Sequence, residues 1–448
     1  MRGYGSECWA VVGGGILGQA LALKLQRSGK QVVLLEAAPE LGGLASTWTV
    51  DGLTYDKFYH VILPFDQRLV GLLDDLGLSD EIVWKKTRTG FFSDGTLTSL
   101  DGALDYLRLN SVGLWSKLRI AYLMMTAGRI EDGTPLEQIS VKDWLVQKCG
   151  PEAYDRLWRP LLRAKLGDNA KLASANFIWS SIRRLYLARQ GANKVEQLGY
   201  VREGGYRRIL DALRTALEKS GVEIRTRAPA KRIYRAAGGV CVETAQGSQI
   251  YQNVVSTLPT STSLKVCEGL NPDETARLTS VVYQGIICAS VVLNRPLGGY
   301  YLTYLTDETL PFTGIVEMSA LTGTDAMEGK TLVYLPRYVT QDDEFWSLDD
   351  DEIKQRFTHG LRKVYPDLDD ADIVDLQLAR VREVMAVPTL GYRDRIPPVT
   401  TSIPGLYFVN SAQIVDGTLN VNATLGVLER AWPELDLGAP SNEARSAA

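Results

Sequence analysis

An α/β fold organised on a parallel, nucleotide-binding sheet is predicted by three features of this chain. An apolar run, Cys8 to Val12, is followed at once by Gly13-Gly14-Gly15-Ile16-Leu17-Gly18. A helical segment and a second apolar run come next, and that run ends on Glu36. A second glycine pair, Gly42-Gly43, stands six residues further on.

Each element has a physical reason. Cys8 to Val12 is apolar and partly β-branched, the pattern of a strand buried on both faces. Gly13 permits a tight turn, Gly15 lets the backbone approach a pyrophosphate, and Gly18 lets helix and strand pack closely. From Gln19 to Gln26, Leu21 and Leu25 recur at helical spacing, with Ala20 and Ala22 for close contact, and Gly29 stops the helix. Ile16 and Leu17 open that helix, whose free N–H groups and partial positive charge favour a phosphate. Gln31 to Leu35 is the second strand. Glu36, 18 residues past Gly18, is placed to accept hydrogen bonds from ribose hydroxyls, and it would repel a 2′-phosphate, which disfavours NADP. The pattern so far leaves NAD and FAD open.

The stretch Ala37-Ala38-Pro39-Glu40-Leu41-Gly42-Gly43-Leu44-Ala45-Ser46 supplies a second close backbone approach. Here the chain resembles the flavoprotein superfamily of amine oxidases, protoporphyrinogen oxidases, phytoene desaturases and UDP-galactopyranose mutase, and most of all a bacterial protoporphyrinogen-oxidase-like member. The resemblance implies FAD, with Ala37, Gly42, Gly43, Leu44 and Ala45 wrapping its pyrophosphate and reaching toward the flavin. It also implies a discontinuous Rossmann-type FAD-binding domain from residues 1–65, 197–260 and 385–435. A mixed α+β substrate-binding domain would come from residues 66–196 and 261–384, and residues 436–448 would be a disordered tail.

Later segments resemble the family's returns to the FAD domain. Gly204-Gly205-Tyr206 leads into a helix over Arg207 to Ser220, then a strand from Val222 to Arg225. Arg227 to Ile233 follows, with a backbone contact to adenine implied near Ala230, then a hairpin-like alternation through Val240 to Thr244. Asn253 to Pro259 is similar to the strand that closes the domain. Pro404 to Gln413 is similar to its last strand, with Asn410 where most relatives carry an aspartate touching the ribityl–phosphate region. Leu419, Asn420 and Val421 open a final helix whose N-terminus, in relatives, points at the flavin N1–C2=O edge. Helix capping is the plainer role of Asn420 and Asn422.

Among the inserts, helices are expected over Gln67–Leu76, Leu104–Leu109, Leu114–Ala127, Val141–Lys148 and Glu152–Leu166. Strands are expected over Val281–Asn294, Tyr300–Tyr304 and Thr331–Tyr334, and a helix over Asp349–Val364. Arg337-Tyr338, just past the last of those strands, reads as surface or as a pair beside the substrate pocket. Catalytic candidates are His60 and Tyr59, in a segment similar to the one that lies over the flavin ring in relatives. Arg393 and Arg395 could hold an anionic substrate group through a planar fork. Trp158, Trp179 and Tyr186, interleaved with Arg156, Arg159, Arg163, Lys165, Arg183 and Arg184, read as core plus a solvated face, or as a face toward an apolar ring or a membrane surface.

Composition narrows the functional classes. The 448 residues carry 49 Lys and Arg against 53 Asp and Glu, a net charge of −4, which argues against a nucleic-acid partner. The five cysteines are odd in number with no C-x-x-C pair, so neither a disulfide framework nor a zinc site is expected. Two histidines exclude a multi-histidine metal centre. No apolar run is long enough to span a membrane, and no signal peptide is recognised. A cytoplasmic enzyme is expected, with peripheral membrane contact as its only membrane association. The function implied is an FAD-dependent oxidoreductase that removes hydride from a C–N or C–C bond of a small organic substrate, with oxygen or another compound as electron acceptor. A non-redox flavin mutase, or a flavin-free escort-type binding protein, is the alternative.

Overall fold

The computed structural model describes residues 8–100, 113–188, 197–202, 204–415 and 419–436. The helix expected over Leu104–Leu109, the residues 416–418 and the tail 437–448 lie outside the described residues.

Five parallel strands form the first sheet. Their order is Leu406–Phe408, Asn253–Ser256, Cys8–Val12, Gln31–Leu35 and Glu223–Arg225. All five residues of Cys8–Val12 are buried, and the period of two sorts them. Trp9 and Val11 face a helical layer made by Ile16–Arg27, Gly205–Ser220 and Val421–Asp436. Cys8, Ala10 and Val12 face a three-stranded antiparallel sheet, Arg232–Ala236, Gly239–Thr244 and Gly247–Tyr251. The α/β class and its nucleotide-type sheet are thus present. Arg227 adopts a left-handed φ of 53°, and the strand starts at Arg232.

The second sheet has seven strands in the order Ile373–Ala386, Tyr283–Leu293, Thr331–Val339, Gly314–Glu317, Leu302–Leu305, Thr89–Ser93 and Thr96–Ser99. Tyr283–Leu293 is buried along its whole length. Its Ile287, Ala289, Val291 and Leu293 pack toward the helix Asp350–Val364. Ile286, Cys288 and Val292 pack on the opposite side, with Leu53, Tyr55 and Phe58. That second face brings the larger sheet against the segment that follows Gly42-Gly43. Thr331–Val339 runs five residues further than expected, so Arg337 and Tyr338 lie within the strand rather than past it.

A helical layer completes the molecule, with Trp144, Trp158 and Trp179 in its core. The helix expected over Glu152–Leu166 is interrupted by a π-turn at Tyr154–Trp158 and resumes at Arg159–Leu166. Pro160 explains this, because it has no N–H and its ring would press on the carbonyl one turn earlier, so the turn widens. Trp158 and Trp179 are only 7% and 4% exposed. They are core residues and present no face to a membrane. The side chains of Arg184 and Tyr186 lie outside the described set.

Candidate active site

The site begins with two glycine turns in contact. A Cβ on Gly18 would lie 1.8 Å from the Gly13 carbonyl oxygen, so only glycine fits where the first helix meets the first strand. Gly15 caps that helix without a side chain. A Cβ there would meet no protein atom within 4 Å, so its outer side is an open cradle. Gly42 N–H donates to the Gly14 carbonyl at 2.9 Å, and a Cβ on Gly43 would fall 3.1 Å from the Gly15 Cα. The second glycine pair therefore stacks directly on the first turn. Ile16 and Leu17 are buried in the helical layer, Ala45 is buried, Leu44 is half-buried and Ala37 is exposed.

Glu36 braces this arrangement. One of its carboxylate oxygens accepts from Gly14 N–H at 2.6 Å and the other from Ala38 N–H at 2.7 Å. A carboxylate has about four acceptor positions, so two backbone bonds leave capacity for a ribose hydroxyl. Ala230 lies half-buried beyond Ala228, whose N–H donates to the Glu36 carbonyl at 2.8 Å.

Beside the turns, the strand Leu53–Asp56 delivers a cluster of polar groups. Asp56 is buried and accepts the Tyr206 backbone N–H at the start of helix Gly205–Ser220, whose own cap, Gly204, has no side chain. The His60 Nδ1 lies 3.7 Å from an Asp56 oxygen, and the His60 ring lies 4.3 Å from that of Tyr206. Burial raises the Asp56 pKa, opposed by its contacts with His60 and by the Tyr206 N–H. The Tyr59 hydroxyl lies 3.0 Å from the Tyr338 hydroxyl, which accepts from Lys165 Nζ at 2.9 Å. Tyr59 and Tyr338 share one apolar cluster with Leu44 and Trp48 of the glycine-pair segment.

At the far end, Asn410 is 1% exposed. Its carbonyl oxygen accepts from Ala412 N–H at 3.0 Å, while its buried Nδ2 has no hydrogen-bond partner. Trp48 Nε1 is likewise buried and unpaired. Orphaned buried donors are rare in folded proteins, and an acceptor-rich cofactor seated on the glycine cradle fits them.

Residues 18–420 match the family model described as flavin containing amine oxidoreductase. The chain belongs to that family. The flavin of this family is FAD. A 15-cis-phytoene desaturase from Solanum lycopersicum is 24% identical over 241 residues, 50% of this chain and 41% of that protein. The chain thus spans less than half the length of that curated relative. In structure, an oxidoreductase from Methanosarcina mazei superposes with a TM-score of 0.73 at 17% identity, covering 94% of this chain and 99% of that one. A redesigned putrescine oxidase gives 0.74 at 16%, covering 96% and 99%. At these identities the likeness is one of fold.

The remaining sequence candidates are placed differently. Arg393 is a correction. Its Nε and one terminal nitrogen donate to the Glu137 carboxylate at 2.9 and 2.7 Å, and Glu137 is buried. Its fork therefore ties the loop Tyr392–Arg395 to residues 134–138 and is not offered to a substrate. Arg395 is also corrected. It donates to the Thr389 hydroxyl and the Leu390 carbonyl, both at 2.7 Å, and so braces its own turn. Asn420 caps the last helix by accepting from Ala423 N–H at 2.8 Å, between half-buried Leu419 and Val421. Asn422 caps a different helix, accepting from Arg68 N–H at 2.9 Å and Leu69 N–H at 3.3 Å. Sequence reasoning did not assign Tyr206 or Lys165 to the site, and it placed Asp56 and Tyr338 near it without a role. The one local signal was Asp56 four residues before His60.

Proposed function

We propose that this protein is an FAD-dependent oxidoreductase, an oxidase or a dehydrogenase/desaturase, that removes hydride from a C–N or C–C bond of a small organic substrate and passes electrons to oxygen or another acceptor. Stacking of Gly43 on Gly15, beside the Asp56–His60–Tyr59 segment, carries this reading. Bound FAD supplies the hydride acceptor. The residues we assign to holding it are Gly13, Gly15, Ile16, Leu17 and Gly18 with Gly42 to Ala45 at the diphosphate. Glu36 and Ala37 serve the ribose side, Ala230 the adenine, and Asn410, Leu419, Asn420 and Val421 the flavin end.

The protein's own groups do the rest. His60 is the proton-handling group, oriented by Asp56 and packed at a tilt against Tyr206. Tyr59 positions the substrate. The two sheets support a division into an FAD-binding domain (1–65, 197–260, 385–435) and a substrate-binding domain (66–196, 261–384). Five buried free cysteines support a reducing, cytoplasmic setting.

No helix among the described residues is long and apolar enough to cross a membrane. A peripheral contact with a lipid surface is supported at helix Leu114–Ala127. Leu114, Trp115, Leu118, Tyr122 and Met125 there are 53–74% exposed. At helical spacing they fall on one face. No Asp or Glu occurs between residues 106 and 130.

The experiment is direct. Protein loaded with FAD and held without oxygen is mixed with amines, porphyrinogens and polyenes in turn. Loss of the yellow absorbance with one of them supports the reading. A protein that stays colourless with FAD overturns it.

A further inference from the structure

Three polar groups from distant parts of the chain meet beside the cofactor segment: the Lys165 ammonium, the Tyr338 hydroxyl and the Tyr59 hydroxyl. Lys165 donates to Tyr338 and also lies 4.6 Å from the centre of that ring. Among the described residues no carboxylate pairs with it. Nearby cations are different. Arg163 is neutralised by Glu308 and Asp168, and Arg337 by Asp343 at 3.3 Å. Lys165 is therefore the cation here whose charge the protein leaves uncancelled.

Hydrogen counting sharpens this. Lys165 can only donate, so the Tyr338 oxygen accepts from it. Two phenol protons then serve one O···O contact, at 3.0 Å. Whichever tyrosine donates across it, the other hydroxyl proton has no acceptor among the described residues. Both protons are present at working pH, because burial pushes Tyr338 up to about 12 and Tyr59 higher still. The cluster is a set of donors carrying net positive charge and lacking an acceptor. Lys165, Tyr338 and Tyr59 are each half-buried rather than sealed in the core, so the cluster keeps some exposure to a small molecule.

We propose that Lys165, Tyr338 and Tyr59 form the recognition point for a carboxylate on the substrate. A carboxylate supplies both the missing acceptor oxygens and the missing negative charge. A cationic amine at the same point would face an ammonium and surplus O–H donors, and a hydrocarbon would leave all of them unpaired. Calling the ligand a substrate rests on the oxidoreductase reading, whereas the binding site does not.

The test is a calorimetric titration of the FAD-loaded protein with acetate, benzoate and decanoate, against the amine and alcohol of the same skeletons. Saturable binding of at least one carboxylate, with its amine and alcohol at least about tenfold weaker, is expected. Lys165→Met should weaken that carboxylate about tenfold or more and Tyr338→Phe severalfold. Lys165→Arg should restore binding to within about threefold, and Lys363→Met, on an exposed helix face, should change nothing. Equal binding by Lys165→Met, preference for the amine, or no carboxylate binding in the wild type overturns the proposal. If Lys165→Met fails to fold, the Lys165→Arg and Tyr338→Phe proteins decide it. A colourless protein would sink the cofactor assignment alone, since the calorimetry needs no flavin signal.

Discussion

Asp56 and His60 face each other at 3.7 Å inside the protein, and each keeps one buried atom, Oδ1 and Nδ1 respectively, without a hydrogen-bond partner. Asp56 also accepts the Tyr206 N–H in the first turn of the helix Gly205–Ser220. One carboxylate thus serves both as a helix cap and as the neighbour of the proposed proton-handling histidine.

Burial raises the pKa of Asp56 in the folded protein. A raised acid binds its proton more tightly folded than unfolded, so its contribution to stability is fullest below the unfolded value and declines as pH rises through the folded one. Asp56→Asn keeps the cap but has no charge to bury. The variant should melt close to the wild type near pH 4 and progressively above it toward pH 8. Thermal melts across that range check this, and a difference that does not grow with pH contradicts it.

Gly15→Ala and Gly18→Ala should separate binding from folding. A Cβ at Gly15 meets no protein atom, whereas one at Gly18 meets the Gly13 carbonyl. Gly15→Ala should leave the melting temperature of the cofactor-free protein within about 2 °C and weaken FAD at least about tenfold. Gly18→Ala should lower the melting temperature of the cofactor-free protein. FAD titrations alongside melts distinguish the two.

Arg393→Met should act on stability and not on turnover. It strips the partner from the buried Glu137 carboxylate and should cost about 2 kcal/mol, the half-exposed arginine giving less than a fully buried pair. Urea unfolding reads the loss. A fall in kcat/KM above tenfold with unchanged stability would return Arg393 to the substrate site.

Replacing Trp115 and Tyr122 by Gln should abolish flotation with vesicles containing a third phosphatidylserine, while leaving the melting temperature unchanged, because both side chains are more than half exposed. If the wild type does not float, the lipid contact is overturned. Sedimentation would then show whether the face pairs two copies of the chain.

The nucleotide-binding turn was legible because its logic is local. Gly13, Gly15, Gly18 and Glu36 act within one strand–helix–strand unit, where spacing alone says which residues meet. The π-turn ahead of Pro160 was missed although its cause is local, because the expected helix was drawn straight through it. Long-range meetings were not legible. Tyr59 reaches Tyr338 across 279 positions, Lys165 reaches Tyr338 across 173, and Arg393 reaches Glu137 across 256.

By its order of residues alone, this chain determined a parallel sheet, a phosphate-ready helix start and a second glycine turn, because steric limits on the backbone act between near neighbours. Only the tertiary structure decided that Arg393 is a brace, that Trp158 is core, that Trp115 is exposed, and that Lys165 meets two tyrosines. Those outcomes depend on which faces of two sheets and a helical layer come together, and burial sets that by competition across the whole chain.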